Sequence, residues 1–133
     1  MTIPTGDLTY KAGNLVSTPR KVRFRDADDP DTYIEKIYMT VAVDHENGST
    51  EFVEFEATGM TKLFVEAQAA ALASGRRPLD KGRFVIGAGR LVQRQGKVGK
   101  PGKPLLKLRL FAAQTSYDYR ALDWDYLKTE EGK

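Results

Sequence analysis

The sequence predicts an all-β protein, a five-stranded barrel with one α-helix between strands 3 and 4. Three observations lead there. Most of the chain alternates apolar and polar residues with period two, one Ala-rich stretch switches to three-to-four spacing, and paired glycines fall where a closing sheet has to bend. At 133 residues the chain matches the length of one domain with a single modest core.

The first strand is expected between Leu8 and Phe24. Leu8, Tyr10, Ala12, Val22 and Phe24 alternate in part, with interruptions at Gly13-Asn14 and Thr18-Pro19 that predict a bend. After the polar turn Asp26 to Asp31, Ile34 to Val43 reads as a second strand whose core parity is Ile37, Met39, Val41 and Val43. His45-Glu-Asn-Gly-Ser49 carries the Asn-Gly signal of a hairpin. Glu51 to Thr58 follows, with Val53, Phe55 and Ala57 facing inward and Phe52, Glu54 and Glu56 outward.

Leu63, Phe64, Ala67, Ala70 and Ala71 then repeat at helical spacing, with Thr61 as the expected cap and Gly75 as the stop. Arg83 to Gln93 is the fourth strand, and Gly87-Ala-Gly89 marks a bulge or tight bend. Gln95 to Pro104, rich in Gly, Pro and Lys, is a hairpin tip. Leu105 to Thr115 is the fifth strand, with Leu106, Leu108, Leu110 and Ala112 on one parity. The barrel domain is assigned to residues 1–115. Residues 116–133 form an extension whose Tyr117, Tyr119, Trp124 and Tyr126 are expected to pack on the barrel.

Composition narrows the function. With no cysteine and one histidine, His45, the chain lacks thiolate nucleophiles, disulfides and Cys-ligated zinc. It holds no phosphate-loop or dinucleotide motif, so no enzyme, cofactor or metal is expected. No apolar run is long enough for a bilayer span, the start lacks a signal-peptide layout, and the expected location is cytoplasmic. The net charge of +3 hides strong asymmetry. Met1 to Arg25 holds five bases and one acid, Asp26 to Glu66 eleven acids and two bases, and Lys81 to Arg109 nine bases and no acid. Such a basic run is a solvated face or a polyanion site.

Five antiparallel strands with a helix between the third and fourth is the order of the OB-fold, which often binds oligonucleotides. Particular residues go further. Tyr10-Lys-Ala-Gly-Asn-Leu-Val-Ser-Thr-Pro19, Thr50-Glu-Phe-Val-Glu-Phe-Glu-Ala-Thr-Gly59 and Lys81-Gly-Arg-Phe-Val-Ile-Gly-Ala-Gly-Arg-Leu91 together resemble, in order and spacing, the bacterial and phage single-stranded DNA-binding protein family over residues 8 to 115. The resemblance implies sequence-independent binding of single-stranded DNA in replication, recombination or repair, commonly by a homo-oligomer. Phe52 matches a position where that family presents an aromatic to DNA. Thr58 and Gly96 stand where further aromatics are often found, which implies fewer stacking platforms. The chain closes Thr129-Glu-Glu-Gly-Lys133 and not in the acidic Pro-Phe tail that recruits partner enzymes in the family.

Binding a single strand needs cations that follow phosphates and flat rings on which bases stack. Phe52 and Tyr38, both opposite the core parity, are the candidate rings. Arg90 and Arg94 share one face of a strand, with Arg83, Lys107 and Arg109 extending the track and Lys97, Lys100 and Lys103 in the hairpin above it. Lys11, Arg20, Lys21, Arg23 and Arg25 form a second basic wall. Glu54 and Glu56 share Phe52's parity and would repel phosphates unless cations pair with them. The alternative function is an OB-fold adaptor acting mainly through protein contacts.

Overall fold

The alternating segments resolve into six strands, because the first one breaks. In the computed structural model, which describes residues 8–75, 78–94 and 102–114, β1 (Thr9–Leu15) and β2 (Arg20–Arg25) replace the single bent strand. Pro19, which has no N–H for a ladder, sits at the break. There follow β3 (Tyr33–Asp44), β4 (Thr50–Ala57), α1 (Gly59–Gly75), β5 (Phe84–Val92) and β6 (Leu105–Ala113). The predicted extension at 116–133 lies outside the described residues.

Five of these strands close a barrel, and the fold is an OB-fold. β1 pairs with β5, β5 with β6, β6 with β4 and β4 with β3, and β3 returns to β1 at Asn14↔Ala42 and Leu15↔Val41. β2 stands outside the ring on the first half of β3, from Arg20↔Tyr38 to Arg25↔Tyr33. The sequence predicts antiparallel pairing throughout, and one pair departs from it. β6 runs parallel to β4 over Glu54↔Leu105 to Glu56↔Lys107, because α1 and β5 form a crossover that brings the chain back in its original direction. Closure brings two backbones together at Gly13, where a Cβ would strike the carbonyl of Ala42. Only glycine fits that approach.

The core follows the expected parity on β3 and β4: Met39, Val41, Val53 and Phe55 are essentially fully buried. On β6 the parity changes midway. Leu106 and Leu108 face the core, but so do Phe111 and Ala113, while Leu110 packs on the outside with Tyr10, Ala12, Phe84 and Ile86. The cause is a bulge. The register slips between Ala88 and Gly89, which leaves Arg109 unpaired and flips every later side chain of β6. The sequence placed the irregularity correctly at the glycines, but not its effect on the opposite strand.

The helix also departs from expectation in two ways. Thr61 is not its cap: the Thr58 carbonyl accepts the N–H bonds of Thr61 and Lys62, and the Thr61 hydroxyl donates to the Leu108 carbonyl at 3.0 Å, tying α1 to β6. Moreover, the apolar stripe that identifies the helix is not the stripe it buries. Val65, Ala69 and Leu72 meet the core, whereas Met60, Leu63 and Phe64 are exposed at 81%, 58% and 44%. Ala67, Ala70 and Ala71 are exposed beside them. Leu72→Ala should therefore cost about 2–5 kcal/mol, and Leu63→Ala no more than about 0.5 kcal/mol, as read by equilibrium urea denaturation.

Candidate nucleic-acid interface

Strand pairing carries the outward parity of β3 and β4 across the sheet as one continuous face. Directly opposed residues share a face of the sheet. The register therefore runs from Arg20 to Tyr38, Glu56, Lys107 and Arg90 in one row. A second row joins Thr40 to Glu54, and a third Ala42 to Phe52. Phe52 is 46% exposed at the rim.

Glu54 and Glu56 are each only 7% exposed. A carboxylate removed from water must be paired and hydrogen-bonded, and both are. Glu54 accepts from Arg20 Nη2 at 3.0 Å and Thr40 Oγ1 at 2.7 Å. Glu56 accepts from the Tyr38 hydroxyl at 2.9 Å and lies 3.6 Å from Lys36 Nζ. The two acids are thus neutralised from β2 and β3. Arg90 and Lys107, exposed on the same face, carry no ion pair among the described residues.

Tyr38 sits at the centre. The Arg20 guanidinium lies 5.9 Å from its ring centroid and Phe24 meets it edge-on at 6.3 Å, both arrangements that suit an aromatic quadrupole. Burial, then the hydrogen bond to Glu56, then the charges of Glu56 and Glu54 push its phenol up to about 12, and the charge of Arg94 opposes them. Arg94 is held at the hairpin base, where its Nε donates to the Lys103 carbonyl at 2.9 Å and its own carbonyl accepts from Gly102.

No protein-family model and no curated protein matches the sequence. Among solved structures, the chain is similar to the small single-stranded DNA-binding protein from Streptomyces coelicolor, at a TM-score of 0.45 and 19% identity, over 80% of this chain and 93% of that one.

The predicted site residues do not all converge. Arg20, Tyr38, Phe52, Arg90 and Lys107 share the face just described. Exposed Lys103 adjoins it, and Arg109 is exposed at the bulge. Lys11 turns to the barrel end, where its ammonium donates to Glu51 at 2.9 Å and holds that carboxyl below the usual range. Arg83 is buried, with Nη1 donating to the Gln114 carbonyl at 3.2 Å. Lys21 points to the helix side, 2.8 Å from Glu66, and Arg23 shares that side opposite Glu35. Lys97 and Lys100 lie outside the described residues.

The acidic turn ends in local caps: Asp26 accepts from the Asp28 N–H, and Asp29 from the Asp31 N–H and the Thr32 hydroxyl. No cluster of His, Cys, Asp or Glu fit to hold a metal occurs among the described residues. Phe24 and Lys36 also reach this face and are not among the expected site residues; the available signal is the alternation of Val22 and Phe24 within a basic strand.

The Tyr38 phenol gives a direct check. Its folded value lies above the free value, so its contribution to stability is intact below pH 10 and is lost as pH rises through about 12. In an ultraviolet titration, the difference between wild type and Tyr38→Phe should show one phenol ionising near 12. A phenol at 10 contradicts the burial and the Glu56 bond.

Proposed function

We propose that this protein binds single-stranded DNA with little sequence preference, laid across the outer face of β3, β4, β5 and β6, and that it protects such strands in replication, recombination or repair. The observation that carries this reading is the chemistry of that face. Phe52 stands exposed on the same surface as Arg90 and Lys107, the buried Glu54 and Glu56 are already matched by Arg20 and Lys36, and the exposed Asp44 at the rim accepts from the Thr50 hydroxyl. Arg90 and Lys107 are thus left to offer a ligand positive charge on a face with an open ring, the pairing that single-strand binders use. The resemblance of the three sequence motifs points the same way and further implies a homo-oligomer, which light scattering reads.

A second reading, an adaptor working through protein contacts, is favoured by the exposed Met60, Leu63 and Phe64 of α1. Oligo-dT and duplex titrations at several salt concentrations separate the two. Single-strand binding should weaken with salt at a log–log slope of about −0.7 per phosphate contact. Phe52→Ala should lower affinity roughly 5- to 150-fold, the equivalent of ~1–3 kcal/mol of stacking, without altering that slope. Arg90→Ala should reduce the slope by about 0.7. Absence of oligo-dT binding, or preference for duplex, would overturn the proposal in favour of the adaptor.

A further inference from the structure

β2 and the first half of β3 form a two-stranded ribbon outside the barrel ring, and its surface is unlike an ordinary strand edge. On the face continuous with Tyr38 it presents Phe24 and Ile34, 42% and 41% exposed, with the Lys36 ammonium 5.7 Å from the Phe24 centroid. On the other face Tyr33, 49% exposed, lies under two guanidiniums, Arg23 at 4.6 Å and Arg25 at 5.9 Å. Neither arginine has an ion pair among the described residues. Charge on an edge strand by itself guards against edge-to-edge aggregation. Exposed rings beside those charges work against that purpose, so protection of the edge accounts for the arginines but not for Phe24 and Tyr33.

We propose that the β2–β3 ribbon is a second leg of the single-strand path: bases leaving the barrel face stack on Phe24, and Arg23 and Arg25 take phosphates along the ribbon edge. The contact between Phe24 and Tyr38 makes the rings of the two legs continuous, and Arg23 and Arg25, on the opposite face of the ribbon, meet the strand around the outer edge of β2. A base on Phe24 replaces the ammonium over that ring, which leaves Lys36 to Glu56 and the adjoining phosphate. This inference rests on the single-stranded DNA reading above.

The test uses the full chain and oligo-dT of increasing length. Phe24→Ala should leave the shortest bound oligonucleotides unaffected and weaken long ones roughly 5- to 150-fold, and Phe24→Tyr should restore wild-type binding. The Arg23→Ala, Arg25→Ala double variant should lower the salt slope for long oligonucleotides by about 1.4. Phe24 is exposed, so thermal melting should show both variants folded. If wild type binds oligo-dT but Phe24→Ala matches it at every length and the double variant keeps the full slope, the ribbon is not part of the path. If wild type itself fails to bind oligo-dT, the parent reading fails, and the ribbon proposal with it.

Discussion

Two carboxylates taken out of water on the outside of a barrel impose most of what surrounds them. Glu54 and Glu56 lie on the outward parity of β4, yet neighbouring strands bury them, so each must draw cationic or hydroxyl partners from across the sheet. Glu54 draws Arg20 from β2 and Glu56 draws Lys36 and Tyr38 from β3. The Arg20 tie adds a side-chain link to the ladder that holds β2 on β3, and the Glu56 bond orients the central phenol. They also cancel negative charge that would repel a polyanion. The basic side chains of β5 and β6 are then free to set the sign of the surface.

Much of this architecture was legible because it follows from period-two alternation on strands with one dry face. Met39, Val41, Val53 and Phe55 could be assigned to the core from parity alone, and the Asn-Gly turn is realised with Gly48 at φ 88°. The part that was not legible involves relations between segments. Nothing near Arg109 in sequence says that it is the unpaired residue of a bulge. The signal is Gly89 on the opposing strand, and the flip that follows exchanges Leu110 for Phe111 in the core.

The helix shows a different failure of local reading. Periodicity reports that a face is apolar but does not say which face meets the barrel, and α1 has two. The orientation comes from the Thr61 bond to β6 and the short connection from Ala57, neither visible as a hydrophobic pattern. The site was partly legible for the same reasons. Phe52, Tyr38, Arg90 and Lys107 follow from parity, whereas Lys11 and Arg83 carry the right charge but point to the barrel end and to a buried carbonyl. Charge counted along a chain predicts the presence of a basic surface better than its membership.

The closure at Gly13 also bears on how the chain comes together in time. β3 and β4 can zip as a local hairpin, and β2 can join them, before the second half of the chain has taken shape. β1 cannot settle so early, since most of its partners lie on β5, with Thr9 opposite Gly89, and it touches β3 only at Asn14 and Leu15. Joining such distant segments carries a chain-entropy cost that is met before the contacts repay it. β1 is thus the strand whose pairing spans the greatest distance along the chain. The seam at Gly13 therefore ties the start of the domain to both halves of the chain, and a side chain there would part β1 from β3 without touching the local β3–β4 hairpin.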